Sequence, residues 1–153
     1  MKLKLTEKFL PPGTLVIRAE DGAEKYRFEM ASRFTWKLTD AGEQKLLSLY
    51  REWDRGGLKP LQPCHGTLKG VKFVARGEAP YPPMFDFGDF GWKAEGDLMS
   101  RDFVLTRKGK PAATLKRHWL RMGDQYTLDV ADPANELESL AVALCIHLMR
   151  RKR

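Results

Sequence analysis

Apolar and polar residues take turns along most of this chain. Leu3 to Phe9 roughly alternates and reads as an opening strand, closed by Pro11-Pro12-Gly13. Thr14 to Arg18 follows, with Leu15 and Ile17 on one face, and Asp21-Gly22 is a strong hairpin signal. Beyond it Tyr26, Phe28 and Met30 alternate with Lys25, Arg27 and Glu29. After a short break, Phe34, Trp36 and Leu38 alternate with Arg33, Thr35 and Lys37. A period of two with one apolar face predicts half-buried strands. The same signature marks Val71–Arg76, Trp92–Gly96, Phe103 with Leu105, Pro111–Trp119, and Tyr126 with Leu128 and Val130. Turns are expected at Arg107–Lys110 and Arg121–Asp124.

Two stretches are harder to read. Glu43 to Trp53 could be a strand with Leu47 and Leu49 inward. It also fits a helix: Leu46, Leu49, Tyr50 and Trp53 fall at helical spacing, Asp40 with Glu43 resembles a capping box, and Gly56-Gly57 would end it. The pattern alone favours the helix. The chain is then rich in Gly and Pro up to Gly91, and Pro80-Tyr-Pro-Pro83 is expected at a sheet edge or in a loop.

The alternation ends at Asp132-Pro133, where Asp132 is placed to cap a helix and Pro133 suits its first position. From Leu140 to Met149 only His147 is polar, so a helix here is apolar on every side and must be surrounded. It falls short of the roughly 20 apolar residues that span a bilayer. Acidic Asp132, Glu136 and Glu138 at its start and Arg150-Arg151-Lys152-Arg153 at its end both suit the helix dipole. The strand–glycine–strand unit recurs around Gly22, Gly42 and Gly109, which predicts an up-and-down sheet or barrel. Barrels of about eleven strands have room for a central helix. Strands of about seven residues, tilted, make a wall roughly 17 Å high, and a helix over Pro133–Met149 is about 25 Å long. Its polar first turn and basic tail would therefore project from the two mouths.

Several C-terminal segments, taken in order, resemble a known family. They are Trp92-Lys-Ala-Glu-Gly-Asp97, Ala112 to Trp119, Gly123-Asp-Gln-Tyr-Thr-Leu-Asp-Val-Ala-Asp132, Glu136-Leu137 and Leu140-Ala-Val-Ala143. Together they are similar to the LURP-one-related family, grouped with tubby C-terminal domains and phospholipid scramblases in the tubby-like superfamily. The resemblance is good over about residues 90–148, weaker over 1–50 and poor between 53 and 90. It implies one domain over residues 1–153, mainly β, a closed antiparallel barrel of about twelve strands around a hydrophobic C-terminal helix. It also implies that Glu43–Trp53 is a strand. It implies little about activity, because most members of the family have no established function. The phosphoinositide-binding residues of tubby domains have no residue-by-residue match here. The acylation and calcium-binding segments of scramblases have none either.

Charge narrows the choice of partner. The formal net charge is +7 over 153 residues, which favours anionic partners. Arg107, Lys108 and Lys110 share one turn, and Lys116, Arg117 and Arg121 follow on the next strand and turn. If they gather on one surface, that surface could hold a phosphate or an anionic phospholipid headgroup. Arg150, Arg151, Lys152 and Arg153, at a barrel mouth, could touch an anionic membrane. A solvated charged face is the plainer alternative. Nucleic acid is not expected, for no recognition helix or single-strand motif stands out. A second functional reading is a protein-interaction scaffold that uses the irregular 53–91 segment, with aromatic and Pro-rich positions from Tyr81 to Phe90.

No phosphate loop, dinucleotide fingerprint or nucleophile elbow is present, so a non-enzymatic binding module without cofactor is expected. Cys64 and His65, as neighbours on a strand, would point to opposite faces. Three histidines and two cysteines have no zinc spacing, and no metal is expected. Asp86-Phe-Gly-Asp89 fits a turn held by aspartate better than a calcium site. Trp92 and Trp119 fit core packing better than ligand stacking. Cys64 and Cys145 form no disulfide framework, and Met1-Lys-Leu-Lys-Leu5 followed by Thr, Glu and Lys is no secretory leader, so the cytoplasm is the expected location.

Overall fold

The computed structural model describes residues 1–8, 13–52, 63–80, 83–97, 102–120 and 123–150. Twelve strands run in chain order: β1 (Lys2–Glu7), β2 (Leu15–Arg18), β3 (Glu24–Ser32), β4 (Thr35–Asp40), β5 (Lys45–Arg51), β6 (Cys64–Leu68), β7 (Val71–Pro80), β8 (Pro83–Asp86), β9 (Trp92–Gly96), β10 (Phe103–Arg107), β11 (Lys110–Leu120) and β12 (Gly123–Val130). Each pairs antiparallel with its neighbours in sequence, and β1 pairs with β12 to close the barrel. One helix follows, α1 (Glu136–Arg150), after a 3₁₀ turn over Pro133–Asn135.

The alternation read from the sequence is the alternation of the wall. Leu3 and Leu5, Leu15 and Ile17, Tyr26 and Phe28, Trp36 and Leu38, and Leu128 and Val130 are all buried inward. Hairpin geometry follows local chemistry. In the β10–β11 turn Lys108 and Gly109 both have positive φ, 51° and 82°, as a two-residue hairpin with matching twist requires. Asp132 caps the start of the helical segment by accepting from the Ala134 N–H at 3.0 Å.

The helix occupies the lumen. Residues 139–149 are all buried, with Leu140, Leu144 and Leu148 fully so, while residues 131–134 are exposed at one mouth. An apolar surface on all sides is thus matched by an apolar sleeve on all sides. Burial of its large side chains is worth roughly 10–20 kcal/mol before conformational entropy is counted. The helix lies close to β5, β6, β11 and β12. On β6 the inward positions include the small Cys64 and Gly66, which leave room for it. Cys145 of the helix is in side-chain contact with Cys64 of the wall, and both are free and buried.

Three readings change. Glu43–Trp53 is not a helix: Lys45–Arg51 is β5, with Leu47 and Leu49 buried as the resemblance implied; Trp53 lies outside the described residues. The capping-box signal at Asp40 was real chemistry in another setting. Its carboxylate accepts from the N–H groups of Gly42 and Gln44, both at 2.9 Å, and staples a hairpin loop instead of a helix start. Strands on both sides, β4 and β6, then outcompete helical propensity. Second, β6 and β8 are short strands that the Gly- and Pro-rich composition hid. Third, Pro80 and Pro83 occupy no edge, since the barrel has none. They end β7 and begin β8 and pair with each other, where a missing N–H costs little. Tyr81 and Pro82 lie outside the described residues, as do Pro11, Pro12 and two residues of the expected 121–124 turn.

Two substitutions probe this packing. Leu144→Asp puts an unpaired carboxylate in the sleeve at a cost of several kcal/mol and is expected to leave no folded monomer. Cooperative melting like that of the parent chain would contradict the enclosed helix. At Gly66 an added Cβ would stand 2.2 Å from the Phe73 ring. That ring is held by Phe90, stacked at 4.6 Å. Gly66→Ala should cost about 1–3 kcal/mol, read as a lower urea midpoint with unchanged slope.

Candidate functional site

The basic residues singled out in the sequence are spread over the barrel. Arg107 ends β10 at the mouth where the helix begins, and its Nε lies 3.4 Å from Glu138 Oε2. Lys108 and Lys110 are exposed in the adjoining turn. Lys116 lies about 20 Å along β11 from Lys110, on the outer face. Arg117 alternates inward near the opposite mouth, opposite Tyr126. Arg150 is the last residue of α1. Arg121, Arg151, Lys152 and Arg153 lie outside the described residues. The β10–β11 hairpin therefore carries Arg107, Lys108, Lys110, Lys116 and Arg117, but the wall's alternation and length divide these five among two mouths and an outer face.

At the first mouth the helix is pinned by polar contacts. Lys25 Nζ donates to Glu136 at 2.7 Å, and the Tyr26 hydroxyl donates to the other oxygen of the same carboxylate. Glu136 and Glu138 sit in the first helical turn, where the dipole favours negative charge. Burial, together with the neighbouring charge and hydrogen bond of Glu136 and the charge of Asp40, pushes the Tyr26 phenol well above its ordinary range. At the other end His147 is buried, its Nδ1 2.9 Å from the Tyr126 hydroxyl and its ring edge-on to that phenol. These are packing contacts that hold the helix in register.

The other candidate chemistry is structural as well. Cys64 faces the lumen and His65 faces out, where its Nε2 lies 2.6 Å from Glu52 Oε1. Asp86 accepts from the Gly88 N–H at 2.8 Å and forms the expected turn. Trp92 is fully buried in the core; the Trp119 side chain is not among those described. Among the described residues no group of three or more His, Cys, Asp or Glu could hold a metal ion. No described helix is long and apolar enough to cross a membrane.

A groove of about 550 Å³ crosses the outer wall over β4 to β7. No residue of α1 lines it, so it is not part of the lumen. Register explains its shape. Thr35, Tyr50, His65 and Val74 form one cross-strand row on the outside, and Lys37, Ser48, Thr67 and Lys72 form the next. The row between them, Trp36, Leu49, Gly66 and Phe73, points inward and lends its backbone as the floor. Irregularities in register at Met30/Ser32 and Leu38/Thr39 bracket the groove, and such bulges sharpen local twist.

The two walls differ in charge. Lys37, Lys72 and the neighbouring Lys45 line the groove, and none has a carboxylate within 4.0 Å among the described residues. On the facing wall Tyr50 is 45% exposed, its ring 5.9 Å from that of His65; His65 is itself engaged by Glu52, which does not line the groove. The sequence reading missed this site. Apart from Ala31 of β3, its residues come from four strands, one of them read as a helix and one not read at all. The available signal was two lysines at outward positions of alternating segments, Lys37 and Lys72.

The protein is thus a closed antiparallel barrel that sheathes its own C-terminal helix and carries a lysine-lined groove on its outer wall. The LURP-one-related family model matches residues 1–149, and the chain belongs to that family. It is also similar to an uncharacterized protein of Bacillus subtilis (strain 168), YxjI. The two are 28% identical over 142 residues, covering 84% of this chain and 82% of the relative. No solved structure gives a significant match.

Alkaline titration tests the contacts that pin the helix. The fold keeps the Tyr26 proton beyond the ordinary phenol value of 10.0 and, through burial first and Cys64 second, the Cys145 proton beyond 9.0. Both groups bind protons more tightly folded than unfolded, so their contribution is full below about pH 9 and is lost as pH rises above it. The melting temperature should fall between about pH 9 and 11. Tyr26→Phe should flatten the part of that fall above about pH 10 while lowering neutral stability by about 1 kcal/mol.

Proposed function

We propose that this protein is a non-enzymatic binding module for an anionic ligand, with a phospholipid or phosphoinositide headgroup as the leading source of the anion. The observation that carries this reading is that Lys37, Lys45 and Lys72 all line one groove with no carboxylate in ion-pair distance among the described residues. Like charges gathered over a low-dielectric wall raise the local potential. A phosphate can accept hydrogen bonds from several ammonium groups at once. Ser48 and Thr67, between the two lysine-bearing strands, add hydroxyl donors. The exposed Lys108 and Lys110 form a second, flat basic surface at the mouth, suited to steering toward an anionic membrane.

Sedimentation with vesicles tests the proposal. At moderate salt, the bound fraction should rise as phosphatidylglycerol is increased. A Lys37→Gln/Lys72→Gln double variant should lose at least fivefold in affinity, about 1 kcal/mol per basic residue being a typical surface contribution. Binding indifferent to the anionic fraction would rule out the lipid reading.

A further inference from the structure

Two thiols meet inside the barrel. Cys64 and Cys145 are the only cysteines of the chain. Cys64 opens β6 on its inward face, and Cys145 lies near the end of α1. Both are fully buried and free, and their side chains are in hydrogen-bond contact. The backbones permit this approach. Ala141 and Cys145, one turn apart on the helix, share a face and are small. Cα atoms of α1 come within 8 Å of those of β6. A disulfide spans Cα separations of about 4.4–6.8 Å, so closing one here asks for little movement of the chain. A shared metal ion fits poorly, since among the described residues no third His, Cys, Asp or Glu joins the pair.

We infer that Cys64 and Cys145 form a redox lock, in which a hydroperoxide converts the dithiol to a disulfide that ties the central helix to the wall. The lock is independent of what the groove binds. Cys64 begins its strand at the rim where the helix ends, so an oxidant entering by that mouth meets it first. The Cys64 sulfur attacks one peroxide oxygen. An S–O bond forms, the O–O bond breaks, and the thiol proton leaves with the other oxygen as water. The Cys145 sulfur then attacks that of Cys64. The S–S bond forms, the S–O bond breaks, and hydroxide departs with the Cys145 proton as a second water. The two sulfurs together lose two electrons, and the peroxide takes them. Burial holds the Cys145 thiol in its protonated form. The thiolate is the reactive species, so the lock closes slowly, and faster as pH rises. Once closed, it spans a loop of about 80 residues, long enough to restrict the unfolded chain strongly. The helix then cannot leave its sleeve.

The test treats the full folded chain with hydrogen peroxide in mildly alkaline buffer. The half-exposed Met30 serves as the internal measure of dose, since its sulfoxide shows that oxidant was sufficient. The oxidised chain, unfolded in urea, should then show no reactive thiol. Proteolysis should give one cross-linked peptide pair containing Cys64 and Cys145. The melting temperature should exceed that of the reduced chain by about 5–10 °C. Reduction in urea followed by refolding should remove the gain. Cys64→Ala and Cys145→Ala should each abolish the peroxide-dependent rise. If either variant fails to fold, the peptide map and the melting shift of the parent chain decide alone. Two thiols still reactive once Met30 is oxidised overturn the pairing. So does Cys64 carried on to sulfinic acid without a cross-link, and so do disulfides formed only between molecules. A Cys64–Cys145 cross-link that leaves the melting temperature unchanged or lower overturns the lock.

Discussion

Everything in this structure answers to one requirement, that a helix apolar around its whole circumference be taken out of water. A flat sheet could cover one stripe of such a helix and leave the rest exposed. Only a wall that curves through a full circle covers all of it, and β1 meeting β12 completes that circle. Closure solves the wall's own problem too, since a barrel has no unpaired strand edge. Helix and sleeve therefore depend on each other. The helix fills a lumen too wide for wall side chains alone, and the wall supplies the apolar surroundings that the helix lacks.

Polar contacts then set the helix in register. Glu136 accepts from Lys25 and Tyr26, and Glu138 faces Arg107, all at the mouth where the helix dipole is positive. At the other end His147 meets Tyr126 on β12. Apolar packing by itself is non-directional and would tolerate sliding along the lumen. Directional contacts at both ends do not.

With the inner face committed to packing, the outer face is free for other work. On β4 to β7 the inward row of Trp36, Leu49, Gly66 and Phe73 builds core, while the outward rows on either side of it build the groove. The two functions share strands without sharing side chains. Gly66 is where they come closest. Its missing side chain admits the Phe73 ring within the wall, so a change made for the core would be felt at the groove floor.

The strands of the first forty residues, those from Trp92 onward, the enclosed helix and its Asp132 cap could all be read from residue order, because period-two alternation, turn residues and caps act over a few neighbouring positions. Local information misled at Glu43–Trp53, since Asp40 offers the same hydrogen bonds to a hairpin loop as to a helix start. It was silent at β6 and β8, whose few residues form strands because neighbours on both sides supply partners. The groove was out of reach for the same reason. Lys37, Tyr50, His65 and Lys72 become neighbours only through the register of four strands, and register is a property of pairing between distant segments. The sequence by itself determined that a buried rod and a β wall must exist; tertiary structure decided which outward residues meet, because adjacency across strands is set by hydrogen bonding between them and not by order along the chain.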